Sequence, residues 1–254
     1  MTTPSFPDLK DSVVFITGGG SGIGSNFVSA FAAQGAKVAF VSLTPEPAEK
    51  LCQRVADAGH QRPLFIPCDI RDIRALQAAI EEVRNQWGGV NVLINNAARD
   101  NRHNLDDFSV EDWDDSLNTN LRPHFFTAQA VANDMREARG GSIINVGSNS
   151  ALLGLAGYSS YVASKAAIMG LSKALARELG GDNIRVNTLI PGWVMTERQK
   201  ELWATPEAVA ECLDQQCLKR TIDEEDVSNS ALFLASTASQ MITGQALIID
   251  GGRT

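Results

Sequence analysis

Short, apolar, β-branched runs alternate with longer stretches of helical period along this chain. "SVVFITGG" (12–19) is such a run and ends in a glycine turn. "SNFVSAFAAQG" (25–35) follows, with Phe27, Ala30 and Phe31 on one side of a helix that stops at Gly35. "AKVAFVSL" predicts a second strand, and "PEPAEKLCQRVADAG" a helix that opens with proline and closes on glycine. "PLFIPCD" predicts a third strand and "DIRALQAAIEEVRNQWG" the helix after it. "VNVLINNA" is a fourth strand, followed by a helical region over roughly 109–138. The acidic run "DDFSVEDWDD" (106–115) reads as the capped, solvated start of that region. "GSIINVGS" is a fifth strand, "YSSYVASKAAIMGLSKALARELG" a strongly periodic helix, and "NIRVNTLIPG" a sixth strand. A charged helical insert at about 194–218 precedes the helix "DEEDVSNSALFLAS" and a seventh strand, "GQALIIDGG".

Strands this apolar are buried on both faces, the mark of a parallel sheet covered by helices. Strand–helix alternation implies a doubly wound sheet with right-handed crossovers. No linker, repeat or low-complexity tract interrupts it. The expectation is one α/β domain over 1–254: a doubly wound Rossmann fold with a seven-stranded parallel sheet and a small helical lid at about 194–218.

Composition narrows the setting. Of 254 residues, 44% are hydrophobic and 20% charged, so a sizeable core is expected and disorder is not. No apolar run reaches the length of a membrane span, and "MTTPSFPDLKDS" has no apolar stretch of signal-peptide type. Cys52, Cys68, Cys212 and Cys217 form no CxxC pair, and no His/Cys cluster has metal-ligand spacing. Reduced thiols, a cytoplasmic protein and no metal are expected. A net charge of −8 without a basic block argues against a nucleic-acid surface.

The first strand feeds "TGGGSGIG", Thr17 to Gly24. There Gly18, Gly22 and Gly24 can turn tightly, let backbone approach a pyrophosphate and pack the helix onto the sheet. Ser21 and Ile23 lie between them, and the helix that follows aims its N-terminus at the phosphates. A glycine string alone is weak evidence; between a strand and a helix at the start of a doubly wound pattern it predicts a dinucleotide site. An acid usually ends the second strand of an NAD site. Here the position, 18 residues after Gly24, is Ser42, and no acid comes before Glu46. No Arg or Lys stands nearby to attract a 2′-phosphate, while Ser42 and Thr44 can bond a phosphate or a hydroxyl. Use of either NAD or NADP is the expectation. Asp69, with Ile70 beside it, can accept from an adenine amino group or cap the helix from Asp72. Asn96, Ala97 and Ala98 end the fourth strand, where small residues permit close approach.

The chain has two tyrosines, Tyr158 and Tyr161. Lys165 follows Tyr161 by four residues, so both face one way on a helix; Val162 occupies that place for Tyr158. A neighbouring ammonium favours a phenolate and is expected to bring the Tyr161 pKa down toward neutrality, making it a general base. Ser148, at the end of strand five, can hold the substrate oxygen. Tyr158 either packs at the helix start or lines the site. Taken alone, Tyr-x-x-x-Lys usually marks a solvated helix face; the glycine turn and the serine make it a site.

These residues carry a resemblance. "TGGGSGIG", "NNAA", "NTNL", "GS", "YVASK" and "IPG" resemble the short-chain dehydrogenase/reductase family over nearly the whole length. The resemblance implies a catalytic tetrad: Asn120 holding a water in a proton relay, Ser148 polarising the substrate oxygen, Tyr161 as acid/base, and Lys165 binding the nicotinamide ribose. It also implies that Ile190, Pro191, Gly192, Val194 and Thr196 contact the nicotinamide half, and that the protein is a homotetramer paired through helices near 109–138 and 157–180. Ala98 departs from the family's glycine after "NNA" and puts the local backbone geometry in question. "NNAARDNRH", "GSNSALLGL", "PGWVMTERQKELW", "TPEA", "QQCLKR" and "IIDGGRT" are similar to bacterial aldose 1-dehydrogenases of this family. That likeness implies oxidation of a pentose, hexose or 6-deoxyhexose such as L-rhamnose at C1 to the lactone.

A sugar pocket needs many donors and acceptors. Arg99, Asn101, Arg102, His103 and Asn149 are candidates near strand ends, Trp193 can stack on a sugar ring, and Arg198 and Gln199 lie in the insert. Two alternatives stand beside the aldose dehydrogenase. One is a 3-oxoacyl thioester or ketone reductase of the same family, disfavoured by the negative charge. The other is a non-catalytic cofactor-binding regulator, disfavoured by the complete tetrad.

Overall fold

The computed structural model describes residues 4–254. Met1 to Thr3, the start of the expected domain and of the N-terminal stretch, lie outside the described residues. The elements run in chain order: β1 (Val13–Thr17), α1 (Gly22–Ala33), β2 (Lys37–Ser42), α2 (Pro45–Asp57), β3 (Leu64–Pro67), α3 (Ile73–Trp87) and β4 (Val92–Asn95). Then come α4 (Val110–Asn120), α5 (Arg122–Glu137), β5 (Gly141–Val146), α6 (Ser150–Leu153), α7 (Ser159–Leu179) and β6 (Ile184–Pro191). The chain ends with α8 (Glu197–Leu202), α9 (Pro206–Gln215), α10 (Glu224–Ala235) and β7 (Ala246–Ile249).

All seven strands join one parallel sheet in the order β3-β2-β1-β4-β5-β6-β7. Alternate residues feed two cores, one on each face. Val14, Ile16 and Phe40 pack with Phe27 and Phe31 of α1 and with Leu232 of α10. Phe15, Val41 and Leu93 pack with Ile80 of α3, Val131 of α5 and Leu175 of α7. Burial on both faces is why these strands read as unbroken apolar runs. The strand order reverses beside β1, and the carboxyl ends stand in register, Thr17 beside Asn95 and Asn95 beside Asn145. A crevice outside the carboxyl ends at such a reversal is where doubly wound sheets bind ligands.

A buried polar chain ties the floor of that crevice together. The Thr127 hydroxyl donates to Asn95 Oδ1 at 2.7 Å. Asn95 Nδ2 donates to Asn145 Oδ1 at 2.9 Å, and Asn145 Nδ2 to the Ser172 hydroxyl at 3.0 Å. This satisfied network locks β4, β5, α5 and α7 in one arrangement.

The helical region expected over 109–138 is two helices. Ser109 caps α4 with a reciprocal box to Asp112, as the acidic run suggested. α4 ends at Leu121, whose backbone (φ −128°, ψ −54°) leaves the helical region. Pro123 has no N–H, and the His124 N–H turns to the Leu121 carbonyl at 3.1 Å. The Asn120 carbonyl therefore loses its usual donor four residues on. The insert is pinched at its base, where Val194 pairs with Ile222 and the Met195 N–H donates to the Ile222 carbonyl at 2.9 Å. No helix among the described residues is long and apolar enough to cross a membrane.

Candidate active site

The turn after β1 is built for close approach. Gly18 (φ +69°) and Gly22 (φ +52°) take backbone conformations that side chains disfavour. A Cβ on Gly24 would stand 2.0 Å from the Gly18 carbonyl oxygen, so only glycine lets the first turn of α1 press onto the loop. The Gly18 and Gly19 N–H groups donate to the Val41 carbonyl at 2.8 and 3.1 Å. Asn96 Nδ2 donates to the carbonyls of Thr17 and Gly18, both at 3.1 Å, fixing the far side of the loop. Ala98 is not among the non-glycine residues with positive φ, so its methyl group imposes no left-handed strain. Ser21 stands as N-cap of α1, its carbonyl accepting from the Ser25 N–H at 3.1 Å and its hydroxyl making no capping bond.

At the end of β2, the Ser42 hydroxyl faces Gly20: a Cβ there would lie 2.5 Å from Ser42 Oγ. Thr44 is the N-cap of α2 and makes no capping bond. Asp69 does not cap α3; Asp72 does, accepting from the Arg74 and Ala75 N–H groups. Both Asp69 carboxylate oxygens are instead held by Arg71, which keeps the group below the usual carboxylate range. Ile70 packs its partly buried side chain against the core below.

A cleft of about 410 Å³ opens on the other side of β1, above the ends of β4, β5 and β6. Ile23, Asn96, Ala98, Pro191, Gly192, Val194 and Thr196 line one part of it, and Ser148, Tyr161 and Lys165 another. Lys165 is 1% exposed; its Nζ donates to the Val146 carbonyl at 2.7 Å and sits 5.6 Å from the Tyr161 ring centroid. The remaining ammonium donors have the cleft before them. Burial pushes Lys165 down to about 7. Burial pushes the Tyr161 phenol up, with the Asp100 carboxylate adding to it and the Ser148 hydroxyl and the Arg102 guanidinium opposing. The expected fall toward neutrality is thus reversed in the protein alone, because desolvation of the phenol outweighs the Ser148 hydrogen bond and the Arg102 charge.

Asn120 does not point its side chain into the cleft. Its Oδ1 accepts from the Arg99 N–H at 2.8 Å and its Nδ2 donates to the Arg99 carbonyl at 3.0 Å. It thereby fastens the loop after β4, and only its freed carbonyl is available for a water.

The expected substrate residues divide. Ser148, Asn149, Tyr161, Trp193 and Gln199 line the cleft. Asn149 is 4% exposed and its Nδ2 donates to Asp250 at 3.4 Å, so it also anchors the C-terminal turn. Trp193 Nε1 donates to Gln199 Oε1 at 2.8 Å, joining wall and insert. Arg99 does not line the cleft; it pairs with Asp115 of α4. Arg198 pairs with Asp100 at 2.7 Å and also stands off the lining. Both arginines found carboxylates that the fold, not the local sequence, brought near.

Asp100 is the residue sequence reasoning missed. It lines the cleft and latches the insert, accepting from Arg198 and from Gln199 Nε2 at 3.3 Å. Tyr158 is buried and stacks on Tyr161, with centroids 5.6 Å apart and planes inclined 25°. His103 ties the loop down: its N–H donates to the Gly157 carbonyl at 2.9 Å and its ring stacks on Phe108.

The carboxyl edge fits a nicotinamide dinucleotide. A side-chain-free cradle at Gly18, Gly22 and Gly24 and free hydroxyls at Ser42 and Thr44 lead along it. At its end a buried lysine faces a cleft lined by small residues and by Pro191 and Gly192.

Comparison with known proteins agrees with this arrangement. A family model described as enoyl-(acyl carrier protein) reductase matches residues 18–254. A "probable galactose dehydrogenase" of Rhizobium meliloti is 50% identical over 254 residues, covering 99% of each chain. A D-xylose 1-dehydrogenase of Caulobacter vibrioides is 43% identical over 252 residues, again covering 99% of each. The crystal structure of a 3-oxoacyl-(acyl-carrier protein) reductase of Brucella melitensis with bound NAD superposes with a TM-score of 0.89 at 32% identity. That match covers 99% of this chain and 96% of the other. The chain belongs to the short-chain dehydrogenase/reductase family of oxidoreductases.

Proposed function

We propose that this enzyme oxidises an aldose at C1 to the aldonolactone, with NAD or NADP as hydride acceptor. One observation carries the reading: Ser148, Tyr161 and Lys165 meet in a single cleft whose wall sets the polar groups of Asp100, Arg102, Asn149 and Gln199 beside the aromatic rings of Tyr158, Trp193 and Trp203. Such a wall suits a polyhydroxylated ring better than an acyl chain. The names of the two relatives, galactose and D-xylose dehydrogenase, support the same class.

The residues divide the work as follows. Ser148 Oγ donates to the anomeric oxygen, and Tyr161 Oη takes the proton from that oxygen as C1 is oxidised. Oxidised nicotinamide, when bound, supplies the hydride acceptor and a positive charge at this end of the cleft. The Arg102 guanidinium also favours the phenolate, against the burial that raises the phenol. Lys165, poised near neutrality, holds or gives up a proton at Nζ. The Asn120 carbonyl would hold the water through which that proton reaches solvent. The glycine turn and the α1 N-terminus would hold the pyrophosphate, and Ser42 and Thr44 the adenosine ribose with or without its phosphate.

Two further readings accompany it. Exposed Val110 and Trp113 on α4 and Phe125 on α5 support pairing of these helices between subunits of a homotetramer. Four free cysteines, Cys217 exposed among them, support a reducing cytoplasmic setting.

The test is absorbance of reduced nicotinamide when purified protein meets NAD or NADP and a panel of aldoses. Reduction with one or more sugars is expected. No reduction by any sugar, together with NADPH oxidation by a 3-oxoacyl thioester, would overturn the reading. Tyr161→Phe should lose about 10²–10⁴ in turnover while still binding cofactor.

A further inference from the structure

Arg102 stands in the cleft wall with its donors unengaged. Its guanidinium carbon lies 3.9 Å from the Tyr158 ring centroid and 5.1 Å from that of Trp203, the residue that ends α8. The other arginine lining the cleft, Arg253, directs Nε and Nη2 to Gln215 at 2.9 and 2.6 Å. Arg99 and Arg198 are paired with Asp115 and Asp100. Among the described residues, no group accepts a hydrogen bond from Arg102 and no carboxylate pairs with it.

Its position is nevertheless well defined. The loop that bears it is fastened before it by Asn120 on the Arg99 backbone and by the Asp100 latch to Arg198. It is fastened after it by the His103 N–H on the Gly157 carbonyl. Aromatic contact occupies a π face of a guanidinium and leaves its N–H groups, which lie in the plane, available. Tyr158, the ring it covers, stacks in turn on Tyr161. Arg102 lines the same cleft as Tyr161, with the Tyr158 ring between its guanidinium and the Tyr161 ring.

We propose that Arg102 determines sugar specificity by donating a forked pair of hydrogen bonds to two adjacent oxygens of the substrate remote from C1. The inference rests on the aldose reading above. A guanidinium fork matches paired oxygens, whether a vicinal diol or a carboxylate. Asp100 in the same wall is already balanced by Arg198, so the choice of a diol of a neutral aldose follows from the aldose reading. The rings of Tyr158 and Trp203 flank the guanidinium and limit where the fork can lie.

The experiment compares wild type, Arg102→Met and Arg102→Lys on the best aldose and on its singly deoxygenated analogues. It also includes the matching uronic acid. Loss of the contacted hydroxyl should cost wild type roughly 10- to 100-fold in kcat/KM, the range for a hydrogen bond to a charged group. Measured on the plateau of the pH profile, where its charge effect on Tyr161 drops out, Arg102→Met should lose a similar factor on the parent sugar, chiefly in KM, and no longer discriminate against that analogue. Arg102→Lys should recover only part of the loss. Cofactor affinity, read by quenching of tryptophan fluorescence, should be unchanged in both variants and shows that they fold. The same deoxy-sugar profile in wild type and variants would overturn the assignment while leaving aldose oxidation intact. A uronic acid preferred by wild type, with the preference lost in Arg102→Met, would overturn the diol in favour of a carboxylate. Wild-type silence on every sugar would overturn the aldose reading and this inference together.

Discussion

Lys165 Nζ lies 5.6 Å from the centroid of the Tyr161 ring, buried and held by one carbonyl, that of Val146 at 2.7 Å. Both groups are pushed toward their neutral forms by burial, the lysine down and the phenol up. The protein thus keeps two buried titratable groups side by side at a cost in stability, a pattern that clusters at functional sites.

That cost is measurable as a pH dependence. Lys165 has a folded pKa of about 7 against an ordinary 10.5, so between these values the unfolded chain binds more protons. Stability contributed by this group is complete above about 10.5 and is lost as pH falls to about 7. In urea titrations of the cofactor-free protein, Lys165→Met should show a flatter rise of stability over that window than wild type. Equal slopes would contradict the assignment.

His124 carries a second such dependence, at lower pH. Its ring is 1% exposed, and neither nitrogen has a partner among the described residues. Burial first, and the nearby Lys165 second, hold its pKa well below 6.5. The neutral ring is retained above 6.5, and stability is lost as pH falls below it. His124→Leu should remove this acid sensitivity. At neutral pH it should gain about 1–3 kcal/mol less any packing loss, because unpartnered buried nitrogens no longer need desolvating. Thermal melts at pH 7 and pH 5 check both parts.

On the proposed reading, Ser42 faces the adenosine ribose of the cofactor. An aspartate there would bond a ribose hydroxyl and repel a 2′-phosphate. Ser42→Asp should keep turnover with NAD and lose at least about tenfold in kcat/KM with NADP, as expected for a like charge worth at least about 1.4 kcal/mol. Retention of NADP use would place the ribose elsewhere.

Asp100 joins the insert to the surroundings of Tyr161. Its carboxylate raises the Tyr161 phenol, so Asp100→Asn should move the rising limb of the kcat/KM–pH profile to lower pH. The ion pair with Arg198 is half-exposed, so its loss should change stability by no more than about 1 kcal/mol. An unshifted profile would remove Asp100 from the electrostatics of the site.

Much of this was legible in the sequence, and the reasons are local. Seven apolar runs bounded by glycine and helical period gave the sheet, because doubly buried strands leave that trace. The glycine turn was readable because φ and close approach restrict those positions to one residue type. Tyr161 could be told from Tyr158 because four-residue spacing on a helix pairs it with Lys165. The break at Leu121 was missed although Pro123 marks it, because periodicity resumes at once on the other side. Arg99 and Arg198 were misplaced because their carboxylate partners lie 16 and 98 residues away. Nothing local marks Asp100, because its partners Arg198 and Gln199 lie 98 and 99 residues away. The direction of the Tyr161 shift was unreadable because desolvation depends on everything packed around the ring.

The most direct test is the rate of nicotinamide reduction with free aldoses, wild type beside Tyr161→Phe. Wild-type turnover on at least one aldose, lost in a variant that still binds cofactor, is the predicted result. Turnover that survives Tyr161→Phe, or a wild type that oxidises no aldose but reduces a 3-oxoacyl thioester, would contradict it.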